Sequence, residues 1–434
     1  MMWPTAQLSQ GIADVVRGVT FSQGDTIHES REGFLPVLRA GNIAERLETE
    51  RDLVWVPDRF VSDRQRLRKN DIVMCTSSGS ALVVGKTAIA EADFDGSWGA
   101  FNAVLRSTSA VVPRFLYYWL QSNGFKAWRD RQAKGANIQN IRHSELANLA
   151  MPFPAKSEQS RIVELLDEAD RLRHLRREAD TKAARILPAL FLKMFGDPAT
   201  NPKGLPFKLL GDPAVCDINP RTRVELPDSD LVSFVPMADV DEHLGRITGC
   251  QSRPYGEVKK GFTPFQNRDV LFAKITPCMQ NGKAAIAAGL IGGIGFGSTE
   301  FHVLRAGSDV TPEYLFALVR LQSFRNHAMS AFTGSAGQQR VPTEFLRRFR
   351  LPIPTSNDVQ KFSGVISHLL ACQIEAEHAA DKLETQFQLL LQRAFSGQLT
   401  SKWREAHMQE LLTEMAQQAR ALNLALPNEL EALS

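Results

Sequence analysis

Cysteine is scarce and unpatterned: five residues, Cys75, Cys216, Cys250, Cys278 and Cys372, an odd number with no CxxC pair. That dispersion argues against a zinc ribbon or a disulfide framework and for a reducing compartment. Long apolar runs are missing as well. The longest weakly polar stretch, residues 284–297, is too short and too glycine-rich to cross a bilayer. The opening MMWPTAQLSQG has neither a basic n-region nor an apolar core, so no signal peptide is expected and the expected location is the cytoplasm. Catalytic signatures are absent too. The nine histidines are scattered without HExxH or metal-ligand spacing, and there is no GxGxxG loop and no Asn/Asp-Pro-Pro-aromatic run. The run 79–87 imitates a phosphate loop but places five residues between its glycines where the pattern needs four, and the second copy has Ala284 where Ser or Thr is required. Charge of one sign is not in large excess. The formal net charge is +3 and the pI near 8.6, which permits nucleic-acid binding without establishing it.

What is present is an ordinary globular composition, 43% hydrophobic and 23% charged, in 434 residues, enough for two or three domains. Residues 157–196 carry apolar side chains at Ile162, Leu165, Leu166, Ala169, Leu172, Leu175, Ala179, Ala183, Ile186, Leu190 and Met194. Spacings of three and four put them on one face of a long helix. Ser157 offers an N-cap, and Gly196 with Pro198 a stop. Such a helix is not stable alone, so its stripe needs a partner. Residues 357–397 supply one: Val365, Ile366, Leu369, Cys372, Ala379, Leu383, Leu390, Ala394 and Phe395 repeat the first stripe at a constant offset. Pro188 lies inside the first helix and predicts a kink; the second copy has Gln388 there.

The regions before each helix repeat as well. Lys69-Asn-Asp-Ile-Val73 is answered by Asn267-Arg-Asp-Val-Leu271, and Gly85-Lys86 by Gly282-Lys283. Val104-Leu-Arg106 returns as Val303-Leu-Arg305, and Pro152-Phe-Pro154 as Pro352-Ile-Pro354. Short β-branched runs such as residues 71–75 and 103–106 predict strands, and Pro113 opens a helix that should end near Asn123-Gly124. The frame recurs while the sequences between its parts differ. A tail from Gln398 holds one more helical stripe, with Leu411, Leu412, Met415, Ala419 and Leu422. It packs on the long helices or contacts a partner; the sequence does not choose.

Each module carries a loop rich in amides: Asn137, Gln139 and Asn140 in the first, Gln338, Gln339 and Arg340 in the second. Asn and Gln pair with adenine, and Arg with guanine, in the DNA major groove; an ordinary polar loop is the simpler alternative. Lys86 and Lys283 are candidates for phosphate neutralisation. Thr76, Ser77 and Ser78, with counterparts Thr276, Gln280 and Asn281, and Lys274 beside them, complete the candidate DNA-contacting set. Trp55, Trp98 and Phe265 read as core. The charges Arg171, Arg173, Arg176 and Arg177 among Asp167, Glu168, Asp170 and Glu178 read most simply as a solvated helix face, with docking of a partner the sharper alternative.

The duplicated order of these parts, with the exits Pro152-Phe-Pro154 and Pro352-Ile-Pro354, the helix ends Met194-Phe195-Gly196 and Arg393-Ala-Phe-Ser-Gly397, and Leu399-Thr400-x-x-Trp403, resembles the specificity (S) subunit of type I restriction-modification systems. The resemblance implies an α+β fold: two strand-rich target-recognition domains in tandem repeat, separated by two long antiparallel coiled-coil helices. The implied segments are 1–155 and 198–355 for recognition, 156–197 and 356–397 for spacer helices, and 398–434 for the tail. It further implies a non-catalytic chain that reads an interrupted two-part site on double-stranded DNA. Its implied partners are two methyltransferase (M) subunits and, through the complex, restriction (R) subunits, with no membrane. No cofactor is implied on this chain; S-adenosylmethionine, ATP and Mg belong to the partners. A helix of about forty residues is roughly 60 Å long, enough to space two half-sites. A coiled-coil scaffold with duplicated protein-binding domains is the rival reading, and a self-contained nuclease a weaker one.

Overall fold

The computed structural model describes residues 3–80, 82–132, 139–335 and 337–424, and divides into two compact units. One comprises the chain up to His174 together with the chain from Asp381 onward; the other is residues 175–380. Among the described residues, no helix is long and apolar enough to cross a membrane.

The first unit is built on an antiparallel sheet ordered Ala13–Arg17, Asn102–Ser107, Ile72–Cys75 and Thr87–Ile89. Ile72–Cys75 is buried at every position because the sheet is covered on both faces. Ile72, Met74 and Leu105 pack towards Phe115, Leu116 and Tyr118 of the helix Pro113–Trp119. Val73, Cys75 and Val104 face the other way, against Trp98 and Leu38. A second sheet orders Val54–Pro57, Phe34–Leu38 and Ser97–Trp98, the last pair parallel. Asn123 does not end the helix that begins at Pro113. That helix stops at Trp119, and Asn123–Gln132 is a separate one.

The second unit repeats the scheme with Cys216–Ile218, Phe301–Ala306, Val270–Ala273 and Ala284–Ile286. Its other sheet gains a strand, in the order Gln251–Pro254, Leu231–Val235, Ile294–Gly297 and Thr263–Gln266. The repeated sequence Asn-Asp and Arg-Asp before the central strand marks a shared corner. Asn70 and Arg268 both adopt positive φ (70° and 71°), which turns the next aspartate inward. Asp71 accepts from Arg106 through Nε at 2.8 Å and Nη2 at 2.7 Å; Asp269 accepts from Arg305 at the same two distances. Each aspartate also accepts a backbone N–H, from Arg68 and Gln266 respectively, both at 2.8 Å. Two buried carboxylates are thus fully satisfied by residues that the repeat preserves.

The first long helix runs Lys156–Ala184 and resumes as Ile186–Phe195, whereas the second is unbroken over Ser356–Phe395. Proline has no N–H for the carbonyl of Ala184, and its ring crowds that carbonyl, so the interruption falls where Pro188 requires it. Gly196 ends the helix at φ 79°. The unit division falls inside both long helices, so each unit holds one end of each. In the first, Ile162, Val163 and Leu166 share a core with Phe387, Leu391 and Ala394. In the second, Leu187, Phe191 and Phe195 share one with Val359, Phe362 and Ile366. Residue numbers rise along one helix as they fall along the other, so the packing is antiparallel.

Two expectations for these helices are corrected. Ser157 is not the N-cap, because the helix already includes Lys156. The first-turn donors are instead satisfied from the tail helix Met408–Ala421: Gln418 accepts from the Lys156 N–H at 3.1 Å and Glu414 from the Ser157 N–H at 3.0 Å. Arg173 is not solvated. It pairs with Asp170 and, across the seam, with Glu384 at 2.6 Å, while its guanidinium lies 4.0 Å from the Phe387 ring centroid. The tail itself packs on the first unit. Buried Glu158 accepts from Trp3 Nε1, Thr400 Oγ1 and Arg404 Nε, at 2.9, 2.6 and 2.8 Å. The Thr400-x-x-Trp403 stretch therefore helps lock the tail to the start of the long helix.

Candidate nucleic-acid interface

Backbone hydrogen bonds assemble the candidate residues. In the first unit Ser77–Ser78 pairs antiparallel with Gln139–Asn140, Ser77 opposite Asn140 and Ser78 opposite Gln139. The Ile141 N–H donates to the Thr76 carbonyl at 2.9 Å. A third segment closes the node: Thr76 N–H and Ser77 N–H donate to the Phe101 carbonyl at 2.9 and 3.0 Å, and Thr76 Oγ1 donates to it at 3.0 Å. Asn140 is exposed, Ser77 and Ser78 half-buried, and Thr76 buried. Asn137 lies outside the described residues.

The second unit builds the same node. The Val341 N–H donates to the Lys274 carbonyl, the Thr276 N–H to Gln339 and the Lys274 N–H to Glu300, each at 2.9 Å, and Ile275 bridges Arg340. Matching these bonds makes Thr76 equivalent to Lys274, Asn140 to Arg340 and Phe101 to Glu300. The counterpart of residues 76–78 is therefore 274–276, not the wider set reaching Gln280 and Asn281. Those two sit in the turn that follows: the Gln280 carbonyl accepts from Arg325 Nη1 at 2.8 Å, and Asn281 Nδ2 donates to Glu242 at 3.1 Å. Thr276 Oγ1 reaches the Gly337 carbonyl at 3.3 Å, and Gln338 is exposed.

Lys86 and Lys283 do occupy equivalent places. The Cys75 N–H donates to the Lys86 carbonyl and the Ala273 N–H to that of Lys283, both at 3.0 Å. The glycines before them adopt φ 81° and 79°, and a Cβ on either would collide with an arginine side chain, Arg129 or Arg325. Their side chains differ: Lys86 is exposed, whereas Lys283 Nζ donates to the Met237 carbonyl at 3.2 Å.

The two nodes present different chemistry. In the first, a hollow of about 840 Å³ is lined by Arg17, Arg39, Phe21, Ser77, Ser78 and Phe101. A smaller one of about 230 Å³ touches Arg17, Thr76, Asn140, Arg142 and His143. Arg17, Arg39 and Phe101 escaped the sequence reading because they come from three separate segments; Arg142 was two residues beyond the amide loop. In the second, Arg340 is braced by Glu300, with Nε to Oε2 at 3.0 Å and Nη2 to Oε1 at 2.9 Å, while Nη1 donates to the Gln338 carbonyl at 2.8 Å. The hydrogen bonds from Arg340 hold the Glu300 carboxyl below its ordinary pKa, so the brace is ionised at neutral pH. Beyond these bonds Arg340 keeps one N–H on each terminal nitrogen, donors of the kind that pair with a guanine. Behind this node His302 is buried, its Nε2 donating to the Val341 carbonyl at 2.8 Å and its Nδ1 accepting from Asn219 at 3.2 Å. Burial lowers its pKa to about 4.

Comparison with known proteins shows what the chain is similar to. Residues 9–181 match the type I restriction modification DNA specificity domain. The chain is 26% identical to the EcoKI specificity subunit of Escherichia coli K12 and 25% identical to the StySPI specificity subunit of Salmonella potsdam, each across 93% of this chain and 90% of the relative. Identity reaches 33% with the EcoEI specificity subunit of Escherichia coli, but over 48% of this chain and only 35% of that subunit. A chain solved in work on assembly and conformational transition of the type I restriction-modification system shares the fold, with a TM-score of 0.53 at 15% identity, over 92% of this chain and 98% of that one. Over nearly its whole length the chain is thus similar to type I restriction-modification specificity subunits.

Proposed function

We propose that this chain reads an interrupted, two-part site on double-stranded DNA, one half with each sheet-rich unit, and directs partner methyltransferase subunits to it. One observation carries the reading: a single three-segment node occurs twice, on the same frame, with Thr76, Asn140 and Phe101 at one and Lys274, Arg340 and Glu300 at the other. A duplicated frame with exchanged side chains suits two readers of different short sequences. Ser77, Ser78, Asn140, Gln338 and Arg340 are assigned to base edges, Arg17, Lys86 and Lys274 to phosphates, and buried Thr76 to bracing the node.

Residues 1–155 and 198–355 are the reading segments in this account. The helical segments 156–197 and 356–397 set the spacing and dock two methyltransferase subunits, through which restriction subunits join. Leu172, Leu175, Val365 and Ile374 are exposed on the long helices and supply apolar area for that docking. The chain itself is non-catalytic here. Methyl transfer from S-adenosylmethionine, and work driven by ATP with Mg, belong to the partners.

The test is a genome-wide methylation map of the host with and without the gene. Loss of methylation at one interrupted two-part motif supports the reading. An unchanged map, with the methyltransferase shown to be expressed, would favour a protein scaffold instead.

A further inference from the structure

Among the described residues of the first node Phe101 is the exposed large apolar side chain, and half-buried Phe21 lines the same hollow. The Phe101 carbonyl receives the three hydrogen bonds from Thr76 and Ser77 that hold the node together, and the strand Asn102–Ser107 begins at the next residue. The backbone is therefore fixed, while the ring is 70% exposed and forms a wall of the hollow that also holds Ser77, Ser78, Arg17 and Arg39. A lone exposed apolar residue usually needs no explanation. A phenyl ring on a fixed backbone, sharing a hollow with serine and arginine residues, is different, because its apolar area stays in water until something covers it. In the second unit the same node position is Glu300, already engaged by Arg340. The apolar group is thus specific to one of two sites that match in backbone hydrogen bonding.

On the major-groove edges of the bases there is a single apolar group, the 5-methyl of thymine. Resting on the DNA-reading function proposed above, we infer that Phe101 is a specificity-determining residue that contacts a thymine 5-methyl in the half-site read by the first unit. Ser77 and Ser78 flank the ring with hydroxyls for neighbouring base edges, and Arg17 and Arg39 stand where phosphates would pass. The other half-site receives no such contact.

The experiment uses the complex of the full chain with its methyltransferase and duplexes carrying the methylated motif. Each thymine is replaced in turn by deoxyuridine, which removes only the methyl group. For the wild-type complex, one position confined to one half should lose about four-fold in affinity, the worth of one buried methyl. Phe101→Ala should bind the thymine and deoxyuridine duplexes equally, and Phe101→Leu, which keeps an apolar contact, should still prefer thymine. The inference is overturned if Phe101→Ala retains the wild-type preference. It is also overturned if no thymine in that half matters to the wild type, or if the half contains only G·C pairs. Loss of base unstacking in Phe101→Ala with the thymine preference intact would overturn it too, since the ring would then be a wedge between base steps. Absence of any two-part motif would defeat the proposed function itself; a two-part motif without Phe101-dependent methyl sensitivity defeats only this inference.

Discussion

At the first node Thr76, Asn140 and an exposed Phe101 meet; at the second, Lys274, Arg340 and Glu300 stand in the same places. Beneath them the Asp71–Arg106 and Asp269–Arg305 pairs agree in both contact distances. Stability is stored in the corner and strand residues that recur, and chemistry in side chains hung on backbone bonds that any residue can make. A duplication built this way can change what one copy presents without touching what folds it.

Removing half of a frame pair should have the largest effect. Arg106→Ala leaves a buried Asp71 carboxylate without its partner and should cost about 3–5 kcal/mol, as should Arg305→Ala around Asp269. Limited proteolysis during urea unfolding should show each loss in its own unit; a loss below 1 kcal/mol in either would break the claim that the frame is shared. The helices offer the next contrast. Gln388→Pro should open the continuous second helix at a cost of about 3 kcal/mol, whereas Pro188→Gln should raise amide protection around Arg185 without a comparable penalty. Equal responses to the two substitutions would contradict the assignment of the interruption to Pro188.

A smaller difference should appear with pH. His302 has its pKa lowered to about 4 in the fold, against 6.5 for the free side chain. Between those values the unfolded chain binds a proton that the folded chain refuses, so stability is complete above pH 6.5 and falls on acidification. The second unit should lose about 2 kcal/mol between pH 6.5 and 5 by this route, and His302→Gln should flatten that slope in denaturant titrations. The first unit should lack this component.

Much of the frame was legible because it obeys periodicity. The long helices, their repeat, the interruption called for by Pro188 and the stop at Gly196 follow from spacing and backbone chemistry alone. The tail's hold on the first helix was not legible: Glu414 serves the Ser157 N–H from 257 residues away, and no local pattern records that. Arg173 looked solvated because its partners Glu384 and Phe387 lie on the other helix. At the nodes, amide and hydroxyl side chains marked two of the three segments. The third enters through the carbonyls of Phe101 and Glu300, an acceptor every residue owns, so its composition gave no signal. The second-copy match slipped for the same reason: the pairing that aligns Thr76 with Lys274 is made by backbone atoms.

The most direct measurement is to map methylated motifs in hosts carrying Asn140→Ala or Arg340→Ala beside the wild type. The account predicts that each substitution relaxes base preference in a different half of one two-part motif, by about 10- to 100-fold at the affected position for Arg340, and leaves the other half unchanged. Relaxation of both halves by either substitution, or of the same half by both, would contradict it.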